Sequence, residues 1–201
     1  MAEEEDFGFQ NDNYQTFFQM TYEWPCLSFD VIRDQLGASR REYPLTAYFV
    51  TATQAETQEQ NQIIVNRISG LANTKNDGSA EEDLPDPKIN CVASLHPSTA
   101  NRVRSMPQQS NVVATWTEEN GVLIWDVSAA IAASNIDGSE GIDSLIFEIP
   151  REEEGFGLQW SPLQKGLLAV GDNLGVVSLW QEDGPSFRSV VDIRAHDDAV
   201  E

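Results

Sequence analysis

The sequence predicts an all-β protein built from repeated four-stranded sheets, and two similar hairpins carry the prediction. In the first hairpin, Val112–Trp116 and Val122–Val127 are rich in β-branched and aromatic residues and flank a polar segment with an Asn-Gly pair. Asn and Gly adopt positive φ at low cost, so this pair between two such runs is a strong hairpin signal. Leu167–Gln181 repeats the arrangement, with Trp180 in the place of Trp125. Two copies in register indicate an internal repeat.

The first hairpin ends in Trp125-Asp126, a dipeptide that often closes the third strand of a propeller blade. Strand patterns divide the chain into three sets of four. The first set is Cys26–Ile32, Leu45–Thr53, Ile63–Ser69 and Lys88–Leu95. The second set is Arg102–Met106, Val112–Trp116, Val122–Val127 and Ser144–Ile149, with a helical turn in the Ser128–Asp143 connection. The third set is Gly157–Ser161, Leu167–Gly171, Val176–Gln181 and Phe187–Arg194.

These patterns divide the chain into an acidic N-terminus, a short N-terminal α-helix and part of a WD-repeat β-propeller. The predicted boundaries are 1–10, 11–23 and 24–201, with blades at about 24–95, 101–150 and 156–195 and the start of a fourth at 196–201. Propellers close with roughly four to eight blades. We therefore expect this sequence to be the N-terminal part of a longer protein, or a truncated gene product.

The predicted N-terminal helix has an aromatic face. Its side chains recur at the three- and four-residue spacing of a helix, and Pro25 ends it. The face consists of Tyr14, Phe17, Phe18 and Tyr22. Two interpretations remain open: the helix docks on the flank of the domain, or its aromatic face forms one wall of a groove for a helix of a partner protein.

The charge of the chain points to basic partners. With 33 acidic against 12 basic side chains, the formal net charge is -21. A phosphate backbone is repelled by such a protein, so direct nucleic-acid binding is disfavoured, whereas histones or ribosomal proteins are attracted. The alternative is that the charge only keeps the protein soluble. The acidic residues predicted to contact a basic partner are Glu3, Glu4, Glu5, Asp6, Glu152, Glu153 and Glu154.

The sequence contains no set of residues typical of an enzyme. It has no Gly-rich phosphate loop and no nucleophile elbow, and runs of neighbouring carboxylates usually form solvated faces. Cys26 and Cys91 are too few for a disulfide scaffold or a zinc site, which predicts free thiols in a reducing compartment. A signal peptide and a membrane-spanning run are also missing. We therefore predict a binding protein without catalytic activity, cofactor, metal or membrane contact.

Several segments resemble the glutamate-rich WD-repeat protein family. The most specific is Trp24–Glu56, which begins W-P-C-L-S-F-D-V-I-R-D-Q-L-G, and the likeness continues through Asn61–Leu71, Asn101–Met106 and Gly155–Pro162. It spans nearly the whole chain after Tyr14. The members of this family are eukaryotic ribosome-assembly chaperones, and they are related to the retinoblastoma-binding histone chaperones.

The resemblance implies a seven-bladed propeller with an N-terminal helix, of which this sequence holds about three blades. It also implies a non-enzymatic chaperone that escorts a basic ribosomal protein in large-subunit ribosome biogenesis. The expected location is the nucleus and nucleolus, with the cytoplasm as a further location. The alternative is a histone-binding chaperone in chromatin assembly, because the related proteins hold a histone H4 helix beside their N-terminal helix. A generic adaptor without preference for basic partners is a third possibility.

The resemblance further implies the WD-repeat hydrogen-bond tetrad of His, Asp, Ser/Thr and Trp. In the second blade the turn aspartate is replaced around Glu119, and in the third blade no histidine precedes Trp180. We therefore expect an incomplete tetrad whose residues stabilise the blades rather than bind a partner. The structural blade positions are His96, Trp125, Asp126, Trp180 and His196.

Overall fold

The computed structural model describes residues 16, 18–34, 37, 39–72, 87–119, 121–136 and 145–200. Three antiparallel sheets of four strands account for most of these residues. Sheet one, called blade 1, contains β1 Ser28–Ile32, β2 Leu45–Ala52, β3 Gln62–Leu71 and β4 Lys88–Leu95. Blade 2 contains β5 Ala100–Met106, β6 Gln109–Thr117, β7 Val122–Asp126 and β8 Leu145–Ile149. Blade 3 contains β9 Gly157–Trp160, β10 Leu167–Gly171, β11 Val176–Asp183 and β12 Ser186–Arg194.

Each blade is a meander in which the order of the strands in the sheet follows their order in the chain. All the predicted strands are present, and the hairpins containing Trp125 and Trp180 belong to equivalent sheets. The ends differ slightly; for example, β6 begins at Gln109 rather than at Val112. The predicted helical turn after Trp125 is α1, Ser128–Ala133. This architecture is part of a WD-repeat propeller.

Two apolar cores lie between the three blades. Successive side chains of a strand point to opposite faces of its sheet. In β6, Val113 accordingly belongs to the core shared with blade 1, and its neighbour Ala114 belongs to the core shared with blade 3. The first core includes Val50, Val65, Val92, Val103, Val113, Leu123 and Trp125. The second includes Ala114, Trp116, Ile124, Leu158, Trp160, Leu168, Val170 and Phe187.

Blades 1 and 3 each have a second face that is not packed against another described blade. On blade 1, Phe29 is 65% exposed and Val31 is 56% exposed. On blade 3, Val191 and Ile193 of β12 are also exposed. In a propeller the corresponding faces pack against neighbouring blades.

The predicted helix over 11–23 is wrong for its described part, because residues 18–23 are not helical. Half-buried side chains alternate with exposed ones along this segment, which is the two-residue period of an extended chain. The half-buried positions are Phe18, Met20, Tyr22, Trp24 and Cys26. Polar residues or Pro25 occupy the positions between them, so the two-residue pattern was present in the sequence and competed with the helical one. Tyr14 and Phe17 lie outside the described residues.

The predicted start of a fourth blade is not a strand in the described residues 195–200. These residues instead bind the turn between β10 and β11. The N–H groups of Ala195 and His196 both donate to Gly175 O, at 3.0 and 3.1 Å. The fourth blade therefore stays a prediction.

Candidate functional site

The loops at one edge of the three blades form a continuous surface. They join β2 to β3, β4 to β5, β6 to β7, β8 to β9 and β10 to β11, and residues 195–200 follow β12 at the same edge. Hydrogen bonds connect neighbouring loops: His96 N–H to Asn61 O (2.9 Å), Glu118 N–H to Thr99 O (3.0 Å), Asn101 Nδ2 to Glu154 Oε1 (2.7 Å), Asn173 N–H to Glu154 O (2.9 Å) and Val200 N–H to Asp172 O (3.1 Å).

This surface is strongly acidic. Arg151 is the only Lys or Arg in the described part of these loops, and it is bound to the carboxylate of Asp172. All the remaining acidic side chains except the half-buried Glu154 are exposed. They are Glu56, Glu59, Glu118, Glu119, Glu152, Glu153, Glu154, Asp197 and Asp198. We call this set the acidic loop face.

The acidic loop face includes part of the site predicted from the sequence. Glu152, Glu153 and Glu154 lie between the β6–β7 turn and the β10–β11 turn, so the structure adds carboxylates from distant parts of the chain to the predicted run. Sequence reasoning missed those carboxylates because they occur in separate short turns rather than in one acidic run. Glu3, Glu4, Glu5 and Asp6 lie outside the described residues.

An apolar groove of about 1000 Å³ runs along the second face of blade 1. One wall is the extended segment, and the other is the sheet, where Phe29 and Phe49 meet edge to face with ring centres 6.4 Å apart. The groove lining includes Phe18, Met20, Tyr22, Trp24, Phe29, Val31 and Phe49. Burial raises the pKa of Tyr22 far above that of an ordinary phenol, so its hydroxyl is neutral. The predicted aromatic residues Phe18 and Tyr22 therefore do contribute to a groove, although from an extended segment.

His96 and Trp125 form a buried hydrogen-bond network around Thr115 in blade 2. Thr115 Oγ1 lies 3.0 Å from His96 Nε2 and accepts a 3.0 Å hydrogen bond from Trp125 Nε1. His96 Nδ1 bonds the carbonyl of Ser98, which can only accept, so Nδ1 carries the proton. Burial lowers the pKa of His96 to about 4, which keeps the ring neutral at pH 7 and makes Nε2 an acceptor for the Thr115 hydroxyl.

The network has the His, Thr and Trp members of the tetrad. Glu119, at the turn, is exposed and bonds the side chain of Gln58 instead. Asp126 stabilises the start of α1. Burial would raise the pKa of Asp126, but hydrogen bonds from Asn111 and Ser128, both 2.9 Å long, outweigh it and hold that pKa below its usual value. Of the network residues, His96, Thr115 and Trp125 are buried between strands and support the blade.

In blade 3 a different network of polar side chains takes the place of the His-Thr-Trp network. Arg151 follows β8 as His96 follows β4, and its guanidinium binds the Asp172 carboxylate and donates to Ser178 Oγ at 2.7 Å. The indole Nε1 of Trp180 is buried and has no hydrogen-bond partner among the described residues. His196 is exposed.

Other kinds of site receive no support from the described ranges. No group of three or more His, Cys, Asp or Glu side chains there is arranged to hold a metal ion. None of the helices within the same ranges is long and apolar enough to span a membrane.

Comparisons with known proteins identify a matching family model and several relatives of this chain. A family model for the histone-binding protein RBBP4, which also covers the corresponding component of the CAF1 complex, matches residues 8–72, the region that contains the groove. The chain is 32% identical to "Glutamate-rich WD repeat-containing protein 1" of Dictyostelium discoideum, over 96% of this chain and 47% of that protein. The resemblance to the glutamate-rich WD-repeat family is confirmed.

A second relative of this family type is "Ribosome assembly protein rrb1" of Schizosaccharomyces pombe, which is 31% identical over 88% of this chain and 41% of that protein. The chain thus spans about half the length, or somewhat less, of these glutamate-rich WD-repeat relatives. Among solved structures, the WD40 domain of Toxoplasma gondii coronin matches with a TM-score of 0.51 at 15% identity, over 73% of this chain and 32% of that one. That similarity supports the propeller fold alone.

Proposed function

We propose that this chain belongs to a non-enzymatic chaperone that escorts a basic ribosomal protein during large-subunit ribosome assembly. The observation that carries the proposal is the acidic loop face, where carboxylates from separate loops converge without an unpaired Lys or Arg in the described residues. The name of the fission-yeast relative, a ribosome assembly protein, also supports a role in ribosome assembly. The proposed role is binding, and the expected location is the nucleus and nucleolus, with the cytoplasm as a further location.

Electrostatics explains how such a surface would act on a basic client. Each exposed carboxylate contributes little, roughly 1 kcal/mol or less, because water and salt screen it. The fields of carboxylates that lie closer together than about one Debye length, roughly 8 Å at physiological salt, add with little screening. The summed field speeds the encounter with a polycation and selects against acidic partners.

The apolar groove would supply the part of the affinity that does not depend on salt. Aromatic and apolar side chains that fill a pocket usually carry most of the binding energy, while charged rims affect rate and specificity. Phe29 and Val31 are exposed side chains of the face that packs on a neighbouring blade in a closed propeller. An apolar face of a client helix would therefore contact the other wall of the groove, the extended segment with Phe18 and Met20. The proposed site therefore has two parts, the acidic loop face for charge and the groove for apolar contact.

Charge-neutralising variants test the first part. Glu118, Glu152 and Glu153 are exposed members of the acidic loop face, and all three are changed to Gln in the test variant. The control variant carries Glu42→Gln, Glu148→Gln and Asp183→Asn, which neutralise three exposed carboxylates in other parts of the blades. Binding is measured by pull-down and titration with a purified basic large-subunit ribosomal protein at rising salt.

We expect the test variant to bind about 5- to 30-fold more weakly at low salt, which corresponds to roughly 1–2 kcal/mol for three rim charges. Its affinity should also depend less steeply on salt than that of the wild-type chain, whereas the control should change about twofold or less. Absence of binding to any basic ribosomal protein at low ionic strength would count against the proposal. Equal losses in the two variants would show that only total charge matters.

The groove favours one alternative, a histone-binding chaperone, because it lies within the region matched by the histone-binding family model. A competition between a histone H4 helix peptide and the ribosomal protein separates the two. The variants are Phe18→Ala and Met20→Ala, which shorten one wall of the groove. Loss of the histone peptide alone would favour the chromatin role. Binding that is indifferent to salt would instead favour a generic adaptor.

A further inference from the structure

Two arginines lie on β5, the first strand of blade 2, although the chain as a whole is strongly acidic. Arg102 and Arg104 alternate with Val103 along β5, so their side chains lie on the same face of the strand, about 7 Å apart along it. Arg102 Nε donates to Phe156 O at 3.1 Å, and Arg104 Nε donates to Gln159 Oε1 at 3.2 Å. Both side chains therefore reach the inner edge of blade 3.

Neither guanidinium is paired with a carboxylate. Within the described part of the chain, no Asp or Glu oxygen lies within 4.0 Å of Arg102 or Arg104. The carboxylate of Asp30 attracts the charge of Arg104 only from a longer distance. Its Oδ2 accepts a hydrogen bond from the N–H of Ser105 at 2.8 Å instead. Two like charges thus lie side by side, half-buried, in a chain whose net charge is -21.

The donors of the two guanidiniums are only partly used. Arg104 Nη1 donates to Ser28 Oγ at 3.4 Å and to Val103 O at 2.8 Å. Among the described residues, Nη1 and Nη2 of Arg102 and Nη2 of Arg104 have no hydrogen-bond partner. Burial, and after it the neighbouring charge of Arg102, lower the pKa of Arg104. An anion bound between the two side chains would offset the repulsion between two like charges.

A cleft adjoins the two arginines. Its volume is about 310 Å³, and its lining includes Arg102, Arg104, Gly157, Gln159, Ala169 and Val200. That volume is at the lower end of the range for small-molecule sites. A planar guanidinium presents parallel N–H donors that match the oxygens of a phosphate group.

We propose that Arg102 and Arg104 form a binding site for a small phosphate-type anion, either free or carried by a small phosphorylated molecule. A long polyanion such as a nucleic acid would have to approach past the acidic loop face, to which Asn101 of the same strand is bonded through Glu154. A compact anion avoids most of that repulsion and still satisfies both guanidiniums. The site goes beyond the binding of a basic client and does not depend on it.

The test uses the purified chain in phosphate-free buffer, with thermal unfolding and calorimetric titration. The probes are pyrophosphate for a free anion and glycerol phosphate for a phosphate ester, each compared with sodium chloride at equal ionic strength. The test variant is Arg102→Gln. The matched control is Arg188→Gln, which removes an exposed arginine of β12 that lies 4.0 Å from Asp183.

We expect one or both probes to raise the unfolding temperature beyond the chloride control and to bind in the millimolar range or tighter. Arg102→Gln should weaken that binding at least tenfold, and Arg188→Gln should leave it unchanged. Without the anion, Arg102→Gln should have a stability similar to that of the wild-type chain, because removal of the repulsion offsets loss of the hydrogen bond to Phe156 O.

Should Arg102→Gln not fold, Arg102→Lys keeps the charge but loses the planar fork, and it should bind several-fold more weakly than the wild-type chain. A stronger response to pyrophosphate than to glycerol phosphate would indicate a free anion, and the reverse a phosphorylated molecule. Two results would overturn the proposal: no response of the wild-type chain beyond that to chloride, or equal binding by Arg102→Gln and the wild-type chain.

Discussion

Blade 2 and blade 3 have the same strand order and equivalent hairpins, yet different chemistry joins each of them to the strand before it. In blade 2, His96 reaches Thr115 and Trp125 through neutral hydrogen bonds. In blade 3, Arg151 reaches Asp172 and Ser178 through a buried ion pair and a charged hydrogen bond. One connection therefore depends on keeping a histidine neutral, and the other on keeping two opposite charges together.

The register of the hairpins shows where the two blades diverged. Trp125 pairs with Val113, and Trp180 pairs with Leu168. Two residues after Val113 comes Thr115, whereas two residues after Leu168 comes Val170. Valine has no oxygen to accept a hydrogen bond, which explains why Trp180 Nε1 is buried without a partner.

Trp180 keeps its packing although its polar partner is lost. Phe147 lies 6.5 Å from it between ring centres, and Phe147 in turn lies 5.6 Å from Phe187. An aromatic cluster thus holds the indole in place. The comparison teaches that the position of a blade residue can be maintained by apolar contacts while the polar network around it is replaced.

The largest expected effect comes from breaking the ion pair of blade 3. Asp172→Asn leaves Arg151 with only the exposed carboxylate of Asp192, 3.9 Å away, and removal of one partner of a buried pair costs roughly 3–5 kcal/mol. The Arg151 side chain is 13% exposed and can turn toward water, so we expect about 3 kcal/mol, measured by urea unfolding. The matched control is Asp183→Asn, an exposed partner of Arg188, which should cost roughly 0.5 kcal/mol or less. Similar costs for both variants would contradict a stabilising role of the pair.

The network of blade 2 should make stability depend on pH through His96. Its folded pKa of about 4 lies below the unfolded value of 6.5, so below pH 6.5 the unfolded chain binds a proton that the folded chain rejects. This contribution to the unfolding free energy is complete above pH 6.5 and is lost as the pH falls toward 4.

The measurement is the difference in unfolding free energy between the wild-type chain and His96→Gln at pH 7 and at pH 4.5. We expect that difference to shrink by about 2 kcal/mol at the lower pH. His196→Gln, which replaces an exposed histidine, is the control for the general effect of a His→Gln substitution. A difference that stays constant with pH would mean that the pKa of His96 is the same in the folded and unfolded chains.

The smallest effect comes from giving blade 3 the missing acceptor. A buried Val→Thr change usually costs roughly 1–3 kcal/mol because it buries a hydroxyl. In Val170→Thr the hydroxyl would accept from Trp180 Nε1, so we expect a cost of about 0.5 kcal/mol or less. Val113→Thr is the control, since Val113 is equally buried and its hairpin partner Trp125 already has an acceptor. Equal costs at the two positions would show that the new hydroxyl does not reach the indole.

The reverse exchange, Thr115→Val, sharpens the same comparison. It leaves the Trp125 indole and His96 Nε2 buried without their shared partner, and we expect a loss of about 2 kcal/mol in urea unfolding. A loss much smaller than that of Val113→Thr would mean that water replaces the hydroxyl.

The blades were predictable because a hairpin is a local structure. Its strands are joined by a short turn, and the β-branched runs around Trp125 and Trp180 mark both strands and turn within about twenty residues. The segment before Pro25 was predicted less well. Its aromatic residues satisfy a helical spacing, but Phe18, Met20, Tyr22 and Trp24 also satisfy a two-residue spacing, and contact with blade 1 decides between the two.

By itself, the sequence determined the strands, their grouping into blades and the excess of negative charge, because these follow from neighbouring residues and from composition. Only the tertiary structure decided which side chains meet between blades and which carboxylates share a surface. Arg151 and Asp172 are 21 residues apart, and no short-range pattern pairs them. Glu56 and Asp198 belong to one acidic face because successive blades bring their loops to the same edge.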